Sequence, residues 1–189
     1  MEAKARQEWA NDLFDQAGIA TEKRRLTLIR EGRQQMRFAG QALHQLARQL
    51  RTTREYPQAL WNSARSFLLG NDFKNASRLT KKYLATVPRQ ERPRALVVLG
   101  QANLALSKLD VALKAVNECI EFHSEDPAVY AARLTASKIY LEKGRIADAA
   151  QVLNNNLDPE GPLNPRSIEW RDSLFAIGRI HYLHGMKLL

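Results

Sequence analysis

Chemically active side chains come together at two places in this 189-residue sequence. At the first, His123, Ser124 and Asp126 supply the residue types of a nucleophilic triad within four positions. A working triad draws its members from separate elements, because neighbours in one turn cannot align with each other. Ser and Asp are also common helix-capping residues. We therefore interpret this run as a helix start, and we predict that the chain is not an enzyme.

The second place is near the C-terminus, where two histidines are three residues apart. His181 and His184 would share one helix face and could hold a metal ion, but no Cys, Asp or Glu lies within one turn of them. No glycine-rich phosphate-binding loop occurs in the sequence. The single cysteine, Cys119, allows no internal disulfide and is predicted to be a buried, inert thiol. We expect no metal, no cofactor and no catalytic residue.

Small residues at helical spacing recur along the chain and predict its fold. Ala112, Val116 and Cys119 fall on one stripe of a helix. Ala76 and Ala149 occupy the corresponding positions 36 residues before and 37 residues after Ala112. A period of this length is typical of stacked helix pairs, in which each pair buries the apolar face of the next. Because no stretch alternates with a period of two, we predict an all-α protein without a sheet.

Turn-forming residues stand where such pairs need them. The segments Gly70-Asn71-Asp72, Ser107-Lys108 and Lys143-Gly144 lie between the two predicted helices of a pair. Asp126-Pro127 and Asn164-Pro165 each place a capping side chain before a first-turn proline, which predicts a helix start. Pro88 is predicted to close the first of these pairs.

The best-preserved pair resembles the tetratricopeptide repeat (TPR) family. Leu99-Gly100 on its first helix and Ala112 on its second match the family pattern, and Ile177-Gly178 matches Leu99-Gly100 again. The resemblance covers residues 57–189 and implies a right-handed superhelical solenoid of antiparallel helix pairs, of a bacterial type. These residues would form three TPR-like pairs plus the first helix of a fourth. Because the sequence stops at Leu189 before a further second helix, we expect a fragment of a longer protein.

Residues 1–56 are predicted to be a separate N-terminal helical region, and two interpretations of it stay open. Ala10, Phe14 and Ala17 have the spacing of a second repeat helix, so the first helix would complete an earlier, degenerate pair. Apolar residues that repeat every seven positions instead predict one long helix over residues 22–52. These residues are Ile29, Met36, Leu43 and Leu50.

Positive charge is concentrated in the same region. The chain has a net charge of +9, and residues 22–54 carry nine Lys or Arg against two Glu. The arginines are Arg24, Arg25, Arg30, Arg33, Arg37, Arg48, Arg51 and Arg54. Such a helix either presents a solvated face or attracts phosphates and acidic surfaces. Binding of nucleic acid or of an anionic surface through this helix is therefore one alternative function, although no aromatic residues alternate with the arginines.

The resemblance also implies a partner-binding face, the concave face lined by the first helices of the pairs. The register places on it Trp61, Arg65, Leu68, Arg94, Gln101, Leu104, Leu134, Lys138, Leu141, Phe175, Arg179 and Tyr182. Arg65, Lys138 and Arg179 are cations at equivalent positions, with apolar residues one turn away. This combination suits an acidic or amphipathic peptide segment. We predict a non-enzymatic protein-interaction scaffold that binds another protein on this face.

A further alternative concerns residues 59–70, which are similar to repeats in bacterial envelope-assembly lipoproteins, so an envelope-assembly adaptor is a third possible function. No apolar run approaches the 18 residues of a membrane-spanning helix. The first eight residues contain no apolar core of a signal peptide. We expect a soluble chain, cytoplasmic by default and periplasmic if it derives from an exported protein, without membrane insertion.

Overall fold

The computed structural model describes residues 2–87 and 91–186. Within these ranges nine α-helices form and no strand is present, which confirms the all-α prediction. The helices are α1 Glu2–Ile19, α2 Glu22–Gln49, α3 Tyr56–Leu69, α4 Phe73–Leu84, α5 Pro93–Ala105, α6 Leu109–Phe122, α7 Ala128–Glu142, α8 Ile146–Asn154 and α9 Ile168–Met186. Pro88 and residues 187–189 lie outside the described residues, as do the side chains of Leu183, His184 and Met186.

The chain forms two compact units, residues 1–91 and residues 92–189. The predicted division between residues 56 and 57 stays a prediction. In the first unit, α1 packs against α2, α2 against α3 and α3 against α4. In the second unit, each helix from α5 to α9 packs against the next one, and α7 also contacts both α5 and α9. The contacts of α7 with α5 and α9 place the first helices of successive pairs side by side.

The structure shows how the N-terminal region is arranged. α2 is one continuous helix of 28 residues, so this segment forms the long helix that the seven-residue repeat predicts. Its partner is α1, since Arg6 Nη1 donates a hydrogen bond to Gln35 Oε1 at 3.0 Å and Phe14 lies against Gly32. α1 and α2 thus form an antiparallel pair in which α1 comes first.

Two glycines of α2 allow this long helix to pack closely on both sides. A Cβ added at Gly32 would lie 2.6 Å from the Phe14 ring of α1. A Cβ added at Gly40 would lie 3.0 Å from the Phe67 ring of α3. Glycine lowers helix propensity by about 1 kcal/mol relative to alanine. Here that cost accompanies two aromatic contacts that any larger side chain would block.

The turns inside the three following pairs share one geometry. The residue that enters the second helix donates its backbone N–H to a carbonyl five residues earlier: Asp72 to Phe67 at 2.8 Å, Lys108 to Asn103 at 2.9 Å and Arg145 to Tyr140 at 2.8 Å. The residue before each donor has a positive φ: Asn71 at 55°, Ser107 at 56° and Gly144 at 72°. This left-handed conformation reverses the chain direction, and it confirms the predicted turn positions.

The predicted stripe of small residues forms the packing surface of the second helices. Ala112, Val116 and Cys119 of α6 are fully buried. Gly100 of α5 lies against Val116, and its absent side chain lets α5 and α6 approach closely. Ala149 and Leu153 of α8 form the corresponding core with Ile180 of α9.

Candidate partner-binding groove

A groove runs between α1 and α3 in the first unit. Both helices are antiparallel to α2, so they run parallel to each other. Gln7 Nε2 of α1 donates a hydrogen bond to Ser66 Oγ of α3 at 2.8 Å. Two cavities follow the groove, one of about 240 Å³ and one of about 630 Å³, and Leu69 borders both of them. We call this whole feature the α1–α3 groove.

The smaller cavity forms the polar end of the groove. Its lining is Gln7, Asn11, Met36, Asn62, Arg65, Ser66 and Leu69. The three side-chain amides in this set can both donate and accept hydrogen bonds. The exposed backbone of a bound peptide also needs both donors and acceptors. The polar end of the groove can therefore hydrogen-bond to the backbone of a partner segment, whatever side chains that segment carries.

The larger cavity forms the apolar end of the groove. Its lining is Phe14, Ala17, Gly18, Arg25, Ile29, Arg33, Leu68, Leu69 and Asn71. The side chain of Leu69 is 48% exposed, which leaves apolar surface open to a partner. Arg25 donates to the carbonyl of Ala17 at 3.2 Å and to that of Ala20 at 3.4 Å, so it caps the end of α1.

Two arginines of the groove have no acidic partner among the described residues. Arg33 lines the apolar end, and Arg65 lines the polar end. The Arg65 guanidinium lies over the Trp61 ring, with 5.8 Å between the guanidinium carbon and the ring centroid. Trp61 in turn stacks on Tyr83 of α4 with ring centroids 5.3 Å apart. Trp61 thus holds Arg65 in place and lines neither cavity. Of the three residues of α3 predicted to bind a partner, only Arg65 and Leu68 line the groove.

The predicted partner-binding residues of the second unit have varied environments. Arg94, Lys138, Arg179, Phe175 and Tyr182 are exposed, with Phe175 75% and Tyr182 66% accessible. The other four are half-buried, namely Gln101, Leu104, Leu134 and Leu141. Two of those, Leu134 and Leu141, pack against the core of Ala149, Leu153 and Ile180. These two leucines therefore contribute to the contact between α7, α8 and α9.

Sequence reasoning missed a polar network at the end of α8. Asn156, which is 1% exposed, donates to the Tyr130 carbonyl at 3.1 Å and to Ser173 Oγ at 3.0 Å. Arg133 Nη1 donates to the Asn155 carbonyl at 3.0 Å and to Asn156 Oδ1 at 3.3 Å. Burial lowers the pKa of Arg133 from its ordinary value. The network joins α7, the end of α8 and α9 beside a cavity of about 420 Å³, which none of the predicted binding residues lines.

The arginines of the basic region have three different environments. Arg25 and Arg37 donate to backbone carbonyls, and the Arg37 bond to Gly70 is 2.7 Å long. Arg33 lines the α1–α3 groove. Arg48 and Arg51 line a separate cavity of about 320 Å³ at the end of α2. The basic region therefore contributes to two cavities instead of presenting one uniform face.

The residues that suggested chemistry have structural roles where their contacts are described. Asp126 Oδ1 accepts the Ala128 N–H at 2.8 Å, so this side chain pairs with the first backbone N–H of α7, although the N-cap residue of that helix is Pro127. Cys119 is fully buried, and burial, followed by the nearby charges of Asp126 and Glu118, raises its pKa to about 12. A thiol in this state is unreactive near neutral pH.

Among the side chains that the structure describes, no group of three or more His, Cys, Asp or Glu could hold a metal ion. Across residues 2–87 and 91–186, no helix is both long enough and apolar enough to cross a membrane.

Comparison with known proteins identifies the fold. No family model matches the chain, and no curated protein matches it. Two solved structures do, both of nearly identical TPR-like repeats assigned to a kinesin light chain of Podosopora anserina, one of them a point variant. The variant has a TM-score of 0.66 at 15% identity, over 98% of this chain and 87% of that one. The other has a TM-score of 0.67 at 16% identity, over 98% and 88%. This chain is therefore an all-helical protein with a TPR-like repeat fold.

Proposed function

We propose that this protein is a non-enzymatic interaction scaffold whose α1–α3 groove binds an amphipathic, acidic segment of a partner protein. The observation that supports this proposal is the composition of the groove. One end is lined by amide side chains, the other has an apolar floor, and an arginine without an acidic partner lies at each end. TPR-like repeats form a fold suited to protein interaction, and the groove lies between first helices of two pairs.

The proposed mechanism divides affinity and orientation between the two ends. An apolar partner side chain buried against Phe14, Ile29 and Leu68 would contribute about 1.5–3 kcal/mol. Acidic side chains of the partner would pair with Arg33 and Arg65, which fixes the direction of the segment more than it adds affinity. The scaffold is already folded before the partner arrives, so ordering costs fall mainly on the partner.

In the second unit, the proposal assigns a lesser contact to the exposed residues of the first helices. Phe175 and Tyr182 are seven positions apart on α9, with Arg179 between them. This spacing places two aromatic rings and a cation along one side of a helix. On α5 and α7, four further residues are proposed to contact a partner: Arg94, Gln101, Leu104 and Lys138.

Peptide selection on the full chain tests the proposal. A displayed library of random 16-residue peptides is selected on the immobilised protein, and the affinity of selected peptides is measured by fluorescence anisotropy. We expect acidic, amphipathic peptides. The variant Arg33→Glu/Arg65→Glu should weaken their binding at least about tenfold, which corresponds to about 1.4 kcal/mol.

Two matched controls make the test specific. Arg24→Glu/Arg30→Glu changes charge equally on exposed α2 positions outside both cavities and should leave the affinity within about twofold. Leu69→Asp places a charge in the groove at a leucine that is 48% exposed. Its control, Leu174→Asp, places the same charge at a 49% exposed leucine of α9 that lines neither cavity. The proposal fails if the groove variants and their controls weaken binding equally, or if the groove variants bind like the unmodified chain.

A further inference from the structure

The second cavity of the basic region lies at one end of the first unit, where α2 ends, α3 begins and α4 ends. Its volume is about 320 Å³. His44 and Arg48 from α2, Arg51 from the following turn and Lys82 from α4 line it, together with Tyr56 and Leu60 of α3. Four separate segments of sequence thus contribute to one site. We call it the His44 pocket.

The charged residues that line the His44 pocket are all cations. No acidic residue is among its lining residues. Arg48, Arg51 and Lys82 form no ion pair and no hydrogen bond with any other described residue, unlike Arg25 and Arg37 of the same region. A cation in the last turn of a helix interacts favourably with the helix dipole. This interaction accounts for Arg48 on α2 and for Lys82 on α4 when each is considered alone. It does not account for Arg51, which lies beyond α2, or for the convergence of all three on one cavity.

One ring nitrogen of the histidine in the pocket also lacks a hydrogen-bond partner among the described residues. His44 Nδ1 is buried, and within the described chain no hydrogen-bonding group reaches it. Buried polar atoms without a partner are uncommon, because leaving one unsatisfied costs about 1–3 kcal/mol. Burial, followed by the charges of Arg78, Lys82 and Arg48, lowers the pKa of His44 below its ordinary value of 6.5. The field that acts on His44 is therefore positive, and an anion in the pocket would relieve it.

We infer that the His44 pocket binds a phosphomonoester group through Arg48, Arg51 and Lys82. A phosphomonoester carries nearly two negative charges at neutral pH and three acceptor oxygens, which matches three convergent cations. His44 and the Tyr56 hydroxyl supply further polar contacts, and the ring of the half-buried Tyr56 supplies the apolar wall for the group that bears the phosphate. The pocket volume is at the lower limit of small-molecule sites, so it fits one such group and not an extended polyanion. The phosphate can come from a small molecule or from a phosphorylated side chain of a protein.

Calorimetric titration of the full chain tests this inference with four probes: inorganic phosphate, phenyl phosphate, a short phosphotyrosine peptide and a single-stranded RNA oligonucleotide. We expect phenyl phosphate to bind more tightly than inorganic phosphate, because of the apolar wall. Tighter binding of phenyl phosphate than of the peptide would identify a small-molecule site, and the reverse order would identify a phosphoprotein site. Either order supports the inference.

Matched variants assign the binding to the pocket. Arg48→Gln/Arg51→Gln/Lys82→Gln should weaken phenyl phosphate binding at least tenfold, and His44→Gln should weaken it less. Arg24→Gln/Arg30→Gln/Lys74→Gln removes the same charge from exposed positions outside the pocket and should change binding less than twofold. A histidine NMR titration adds a readout that misfolding would not produce: saturating phenyl phosphate should raise the pKa of His44.

Several results would overturn the inference. These are the absence of phosphate binding, equal weakening in both triple variants, or RNA binding that both triple variants reduce equally and that falls steeply with salt. The last result would identify a general polyanion surface. The groove variant Arg33→Glu/Arg65→Glu should retain phosphate binding, so the inference and the proposed peptide groove can fail independently.

Discussion

The two units of this protein share a helix-pair architecture but differ in charge. Residues 1–91 contain 17 Lys or Arg and 9 Asp or Glu, for a net charge of +8, whereas residues 92–189 contain 12 and 11, for a net charge of +1. In the second unit, cations pair across helices, as Arg92 does with Glu118 at 3.3 Å and Lys143 with Asp110 at 2.6 Å. In the described part of the first unit, the ion pairs lie within α1 alone. The same way of packing helices thus supports either a paired surface or a surface with free cations.

Because the two units pack their helices in the same way, we expect large-to-small substitutions in their cores to destabilise both units equally. The loss of stability from these substitutions is the largest effect we expect. Leu79 of α4 and Ile139 of α7 are both fully buried. Leu79→Ala and Ile139→Ala should each lower the free energy of unfolding by about 2–5 kcal/mol, as measured by urea denaturation. Leu174→Ala on exposed α9 surface should change it by no more than about 0.5 kcal/mol. A large cost in only one unit would show that the two cores are not equivalent.

Equivalent glycines sharpen the comparison within the second unit. Gly100 of α5 lies against Val116, whereas a Cβ at Gly178 of α9 would meet nothing within 4 Å. Gly100→Ala should destabilise the protein by about 1–3 kcal/mol through overpacking. Gly178→Ala should stabilise it by up to about 1 kcal/mol through higher helix propensity. Thermal unfolding of both variants checks this, and similar shifts would contradict the described contact at Gly100.

The first unit should lose stability at a higher pH than the second. Burial, followed by the nearby positive charges, lowers the pKa of His44, so as pH falls the unfolded chain takes up this proton before the folded chain does. Stability should therefore fall as pH drops below about 6.5, with a slope of at most about 1.4 kcal/mol per pH unit, and level off below the folded-state pKa. Urea denaturation between pH 7.5 and 5 measures the slope. It should shrink in His44→Gln, and an unchanged slope would place the effect elsewhere.

The smallest effect should come from an exposed carboxylate of the second unit. The hydrogen bond from Lys143, followed by its charge, lowers the pKa of Asp110 below its ordinary value of 3.8. The pair therefore contributes stability above that pH and loses it as pH falls through the lower folded-state pKa. The Asp110 side chain is 92% exposed, so solvent weakens the interaction. Asp110→Asn should match the unmodified chain in melting temperature at pH 3 and be slightly lower at pH 7.

Local patterns sufficed to predict the fold but not the groove. Ala112, Val116 and Cys119 predicted their helix because one stripe of one helix determines their burial. The partners of Phe14 and Phe67 could not be predicted, because these rings pack onto glycines of α2 that a propensity argument treats only as weak points. The α1–α3 groove depends on which helix begins the first pair, and the small residues of α1 left that question open. Asn11 and Asn62 carried no sequence signal of their lining role.

The His44 pocket was beyond prediction for a different reason. The basic region could be recognised from its composition. Only the folded structure shows that Arg25 and Arg37 bond backbone carbonyls, while Arg48 and Arg51 have no hydrogen bond or ion pair to any described residue. Lys82 joins them from a helix more than thirty positions away in the chain. Charge counts therefore predict that anions are attracted, and tertiary contacts determine where.

Leu69 stands at the junction of the two cavities between α1 and α3. In the proposed binding mode, the size of this side chain would limit how far a bound segment extends from one end of the α1–α3 groove to the other. Leu69→Trp would divide the groove into two shorter cavities, each still able to accept a short ligand. If a partner segment binds as proposed, its length would depend on this one residue, which can be varied without any change in charge.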